Sequence, residues 1–173
     1  MQIEFKGKVA LVTGAAGAIG KSIAKELKES GAEVFITDLK SEAVQLVAGE
    51  LGCKGLAADV TSEEQVKAVV DATLKEYGSI DILVNVAGII GTTPVEEITE
   101  AAWDQMFAVN CKGTFFFTKY VVPVLKEKKK GKIINFSSKS GKTGSALMSH
   151  YCAAKGAIIS FTQALAYELA PYQ

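Results

Sequence analysis

In the stretch Ser149-His150-Tyr151-Cys152-Ala153-Ala154-Lys155, a phenol and an ammonium stand four residues apart in a run of helix formers. That spacing puts both side chains on one helix face. A phenol titrates near ~10 and is a poor proton donor or acceptor at neutral pH. An ammonium beside it stabilises the phenolate, lowers that pKa and suits the phenol to proton transfer. Thirteen residues before Tyr151 lies Ser138, at the end of the apolar run that begins at Lys132. A hydroxyl there can bond a substrate oxygen while Tyr151 exchanges the proton. Alone, Tyr and Lys at this spacing form an ordinary amphipathic pair. The other end of the chain gives them a context. There Lys8-Val-Ala-Leu-Val-Thr13-Gly14 leads into Ala15-Ala16-Gly17-Ala18-Ile19-Gly20. A glycine-rich turn between a strand and a helix lets backbone N–H groups approach a pyrophosphate. Asp38 follows Gly20 by eighteen residues, at the close of Glu33-Val-Phe-Ile-Thr37. A carboxylate in that place accepts bonds from both adenosine ribose hydroxyls and repels a 2′-phosphate, which predicts NAD rather than NADP. The two ends together predict a nucleotide-dependent redox site.

The elements that must position these residues alternate along the chain. Apolar runs predict strands at Val9–Val12, Glu33–Thr37, Gly55–Ala58, Asp81–Asn85 and Lys132–Phe136. Helical periodicity predicts helices at Ala18–Ser30, Ser41–Leu51, Ser62–Tyr77, Glu100–Glu127 and Ser149–Leu169. Ser62, followed by Glu63, Glu64 and Gln65, forms a capping-box start. Gly113 and Pro123 are places where the long helix bends or divides. Strand–helix alternation with short linkers implies an α/β fold with a parallel sheet, right-handed crossovers and helices on both faces. Ligands in such sheets bind at the carboxyl ends of the strands. Thr13-Gly14, Asp38, Asp59, Asn85 and Ser138 all fall at those ends.

Length and composition bound the rest. At 173 residues the chain predicts one domain with one substantial core. Nineteen basic and nineteen acidic side chains balance, which argues against a broad nucleic-acid surface. The basic run Lys126-Glu127-Lys128-Lys129-Lys130 reads as a solvated helix end, where cations meet the negative pole of the macrodipole. Cys53, Cys111 and Cys152 are scattered, show no metal-ligand spacing, and read as reduced thiols. No signal-peptide pattern and no apolar run of the ~20 residues a bilayer requires is present, so a cytoplasmic protein is expected.

Taken together, the residues resemble the classical short-chain dehydrogenase/reductase family over nearly the whole chain. The matching pieces are Thr13-Gly-Ala-Ala-Gly-Ala-Ile-Gly20, Asp59-Val60, Asn85-Val-Ala-Gly88, Asn110, Ser138, and Tyr151 with Lys155. The resemblance implies a Rossmann-type doubly wound parallel sheet in three α/β/α layers. It implies hydride transfer between a nicotinamide cofactor and a secondary alcohol or ketone. Tyr151 is then the general acid/base and Ser138 the hydroxyl that orients the substrate oxygen. Lys155 bonds the nicotinamide ribose and depresses the Tyr151 pKa, and Asn110 holds the water of a proton relay. Gly14, Gly17, Ile19, Gly20, Asp38, Asp59, Val60, Asn85, Ala87 and Gly88, with Tyr151 and Lys155, form the cofactor site, and no metal is implied. The segment Lys139 to Ser145 faintly resembles the loop of sugar-alcohol members, although surface lysines on a flexible loop are the plainer reading.

Three departures stand out. Ala18 occupies the middle glycine position of the loop, with Gly17 beside it. Val86 replaces a second asparagine that braces the sheet in the family. The chain ends at Gln173, where family members usually run to about 250 residues and carry two more strands and a substrate loop. The strand over Ile133–Phe136 is therefore expected to be an exposed apolar edge. The chain is then an enzyme completed by a missing carboxyl-terminal segment or another polypeptide, or a non-catalytic dinucleotide-binding or interaction subunit. Phe115, Phe116, Phe117 and Phe161 are expected to give two helices more aromatic surface than one sheet face can cover, and so a homo-oligomer, a dimer or tetramer.

Overall fold

Val9–Thr13 (β1) is buried on both faces, as its unbroken apolar run requires of a central strand. Its neighbours are Glu33–Thr37 (β2) and Ile82–Asn85 (β4), with Lys54–Gly55 (β3) and Lys132–Asn135 (β5) outermost. The computed structural model describes residues 4–172. Its five-stranded sheet runs in the order β3-β2-β1-β4-β5 and every pairing is parallel. The direction of winding reverses between β1 and β4, so the carboxyl ends of these two strands open a crevice. Helices cover both faces, giving the expected Rossmann-type, three-layer α/β/α fold.

Side-chain alternation divides the core. On one face Ala10, Val12, Val34, Ile36, Ile82 and Val84 pack against Ala18–Glu29 (α1) and Ser41–Leu51 (α2). On the other, Leu11, Phe35 and Leu83 meet Glu63–Tyr77 (α3) and Gly113–Lys128 (α5). Ser62 caps α3 by accepting from Gln65 N at 3.4 Å. The Gln65 side chain does not complete the predicted box. Its Oε1 accepts from Asp59 N at 2.9 Å instead, tying the helix start to the end of β3's segment.

Beyond one-residue shifts at the ends of β1, α1, α3, β4 and β5, three larger differences separate the structure from the sequence expectation. The β3 ladder closes at Gly55, although Leu56 and Ala58 still donate to the carbonyls of Ile36 and Asp38 at 3.1 and 2.9 Å. With a neighbour on one side only, the chain follows β2 without regular pairing. The long helix divides before Gly113, into Glu100–Phe107 (α4), a π-helical turn at Ala108–Lys112, and α5. Asn110 Nδ2 claims the Met106 carbonyl at 3.0 Å, competing with the backbone ladder and favouring the wider turn. Pro123 does not break α5, because it lies on the exposed side where the carbonyl it leaves free reaches water. Lastly, Ser140–Thr143 (α6), expected as loop, is a short helix packed on Ser149–Leu169 (α7).

The aromatic expectation holds only in part. Phe117 is buried in the core and Phe116 packs against it, leaving Phe115 exposed. β5 is the edge of the sheet among the described residues. Its exposure falls on Ile134, since Ile133 and Phe136 pack inward on opposite faces.

Candidate active site

The crevice beside β1 is a cleft of about 680 Å³ lined by the glycine loop, Asp38, Asp59, Val60 and Ala87 to Ile89. Gly14 sits at φ 64, and a side chain on it would meet the Ala87 backbone at 2.8 Å. At Gly20 a side chain would strike the Gly14 carbonyl. Only glycine permits this tight turn from β1 into α1. Gly17 closes the turn by donating to Gly14 O at 3.2 Å and stands at the N-cap of α1, which aims free N–H groups into the cleft. Ala18 and Ile19 are exposed on the cleft wall.

Both Asp38 oxygens are fixed from behind. Oδ2 accepts from Ala16 N at 2.9 Å and Oδ1 from Leu39 N at 2.7 Å, which holds the carboxylate in the cleft. Asp59 Oδ1 accepts from both Thr61 N and Thr61 Oγ1, at 2.8 and 2.7 Å. Thr13 Oγ1 accepts from Val86 N and Ala87 N, each at 3.1 Å, setting the wall opposite the glycine loop. A glycine cradle, exposed helix N–H groups and an oriented carboxylate fit a dinucleotide.

Asn85 does not line this cleft. It is buried, and its Nδ2 donates to Asn135 Oδ1 at 2.9 Å, its partner in the β4–β5 register. Asn135 Nδ2 donates onward to Thr162 Oγ1 in α7 at 3.0 Å. This line of side chains joins β4, β5 and α7 and supplies the brace that Val86 cannot. Sequence reasoning passed over Asn135. The signal was two asparagines closing two adjacent strands.

Beyond the carboxyl end of β5, the strand end that leads to Ser138 is bonded to the helix turn that carries Lys155. Lys155 is buried, and its Nζ donates to Phe136 O at 2.9 Å and lies 5.9 Å from the Tyr151 ring centroid. Ser137 Oγ donates to Lys155 O at 2.7 Å, so strand end and helix are bonded in both directions. Ser138 Oγ accepts from Ser140 N at 3.1 Å, leaving its proton free to donate. Burial pushes the Lys155 ammonium below its ordinary pKa, against a weaker opposing pull from Cys111. Burial also pushes the Cys111 thiol up, so it stays protonated and serves as a packing group bonded to Ala154 O. Asn110, in the π-helical turn, donates to Ile89 O at 3.0 Å, while its buried Oδ1 has no partner and faces Gly88. An acceptor left free in that place fits a water molecule.

The sequence pattern described as short chain dehydrogenase matches residues 8–173. Sorbitol dehydrogenase of Cereibacter sphaeroides is 40% identical over 170 residues, covering 96% of this chain and 66% of that protein. Galactitol 2-dehydrogenase of Agrobacterium fabrum is 42% identical over 170 residues, with the same shares covered. An NAD-dependent glycerol dehydrogenase of Listeria innocua is 40% identical over 170 residues, covering 95% of this chain and 66% of that protein. The chain thus spans about two thirds of the length of these curated relatives. With its family pattern matched from the first strand to the last residue, the chain belongs to the short chain dehydrogenase family.

Proposed function

We propose that the protein is an NAD-dependent oxidoreductase that interconverts a secondary alcohol and its ketone, with sugar alcohols as the substrate class. The observation that carries this reading is the arrangement of Ser138, Tyr151 and Lys155 at the same strand rim as a cleft containing Asp38. In the oxidative direction, Ser138 Oγ donates to the substrate oxygen and Tyr151 Oη takes the hydroxyl proton. Lys155 keeps two further N–H donors beside Gly88, where they can reach a cofactor ribose. Asn110 Oδ1 holds a water that carries the proton toward solvent. Bound nicotinamide supplies the hydride acceptor at the carbinol carbon. Free Ser138 and Tyr151 hydroxyls with a buried lysine favour an enzyme over a purely binding subunit.

The preference for NAD rests on the carboxylate of Asp38, and the name of the Listeria relative is consistent with it. Sorbitol, galactitol and glycerol, named in three relatives, support a polyol substrate. Unpaired Cys53, Cys111 and Cys152 suit a reducing compartment, and we place the protein in the cytoplasm. An outward groove lined by Phe107, Cys111, Phe115, Ile158 and Phe161 supports pairing with a second copy.

Turnover on a panel of polyols, for wild type and Tyr151→Phe, tests the reading. Removing a general acid/base lowers kcat on the order of 10²–10⁴-fold, and NADH binding should stay near the wild-type value. A Tyr151→Phe protein that retains full turnover would remove the phenol from the mechanism.

A further inference from the structure

The segment from Gly88 to Thr93 has no regular structure, yet it is fastened at successive points. Asn110 Nδ2 holds the Ile89 carbonyl at 3.0 Å. Thr93 N donates to Leu147 O at 2.7 Å, and Leu147 takes the left-handed conformation, φ 61, to present that carbonyl. A leucine pays for that conformation in strain, and such strain persists where surrounding contacts impose it. Between these two bonds, Gly91 lies against His150. A methyl on Gly91 would come within 2.5 Å of His150 Nε2 and 3.1 Å of Met106 Cε. His150 is 3% exposed, and its Nδ1 has no partner. The imidazole therefore earns its buried place by shape, because no hydrogen bond to Nδ1 compensates its desolvation.

Two features give this contact a functional address. His150 immediately precedes Tyr151 in the first turn of α7. At its other end the segment is Gly88, which lines the cleft and approaches Lys155 Nζ and Asn110 Oδ1. We propose that His150 is a positioning residue: seated on Gly91, its ring sets the spacing between the Gly88 wall of the cleft and the helix that carries Tyr151 and Lys155. Without that wedge the segment keeps its anchors at Ile89 and Thr93 but loses its fixed height between them. This inference rests on the proposed dinucleotide function and adds to it a residue that touches neither cofactor nor substrate.

A double-mutant cycle with Gly91→Ala, His150→Ala and their combination tests it. The readout is the NADH dissociation constant, from energy transfer between Trp103 and bound NADH, together with kcat where turnover is seen. Gly91→Ala should weaken NADH binding about tenfold, because the new methyl displaces the ring, and adding His150→Ala should restore affinity to within about threefold. His150→Gln, which keeps most of the bulk, should retain affinity and kcat that His150→Ala loses. A cycle that is additive, or a His150→Gln protein no better than His150→Ala, overturns the proposal. If Gly91→Ala does not fold, the two His150 variants decide alone, with equal Tm and unequal NADH affinity as the supporting result and equal affinities as the overturning one. Wild-type protein that binds neither NADH nor NADPH overturns the functional reading and this inference with it. Binding with an additive cycle overturns only the inference.

Discussion

Ser137 donates its hydroxyl proton to the backbone carbonyl of Lys155 at 2.7 Å, and Lys155 answers by donating Nζ to the carbonyl of Phe136 at 2.9 Å. Two bonds in opposite senses fix the end of β5 to the helix turn that carries the ammonium, and Ser138 is the next residue along. Ser137→Ala should therefore cost about 1 kcal/mol of stability for the lost hydrogen bond. It should also lower kcat by roughly tenfold, because small displacements of positioned groups are costly to rate. Thermal unfolding and steady-state kinetics on the same preparation check both. An unchanged kcat would mean that the strand end holds Ser138 without help.

Cofactor choice should follow the charge at Asp38. Lys40 lines the same cleft, so removing the carboxylate leaves a cation to meet a 2′-phosphate. Asp38→Asn is expected to improve NADPH affinity at least about tenfold, in keeping with the strength of one charge pair near a protein surface. NADH affinity should fall. Titration of both proteins with both cofactors gives the answer, and equal NADH and NADPH affinity in wild type would already remove Asp38 from its role.

Burial holds the Lys155 pKa below its ordinary value, and the sign of the resulting pH dependence is fixed. Between the depressed folded value and the unfolded value near ~10.4, the unfolded chain binds more protons, so raising pH stabilises the folded protein. The buried ammonium is a full cost below that window, and the cost fades through it. Chemical denaturation of wild type and Lys155→Met across the alkaline range should show wild type gaining on the variant as pH rises. A constant difference would mean that the folded ammonium is as well solvated as the unfolded one.

Self-association should run through the groove between the α4–α5 side and α7. Trp103 stacks on Phe107 at 5.1 Å there, with Phe115 and Phe161 close by. Light scattering at micromolar concentration is expected to give a dimer or larger species, and Phe115→Glu should shift it toward monomer. A wild-type monomer would contradict the pairing.

Most of the fold could be read from periodicity. β2, α2 and α7 match their expected spans residue for residue, because each is a clean apolar or amphipathic run between turn formers. The cleft was legible too, since Gly14, Gly20 and Asp38 depend on backbone geometry at strand ends. What escaped depends on contacts between distant segments. Asn85 was expected on the cleft wall, but its amide is drawn sideways to Asn135, fifty residues away. The wide turn around Asn110 arises because a side chain competes with the helix's own ladder, which no propensity reports. Ser137 and His150 carry no motif of their own, and only their neighbours in space reveal what they hold.

The π-helical turn at Ala108–Lys112 also stores an extra residue between α4 and α5. Each residue of α-helix rotates the following side chains by about 100°. Because the π-helical turn closes its bonds one residue later than an α-turn, it takes up one extra residue, and deleting one residue there would restore a regular helix with Phe117, Val121 and Leu125 still on the sheet. The turn thus acts as a phase adjuster. It gives Asn110 its place beside Ile89 and lets the next four helical turns keep their apolar stripe on the core, so losing one residue there costs the site and spares the packing, whereas losing one within α5 would rotate everything after it by about 100° and turn that stripe off the sheet.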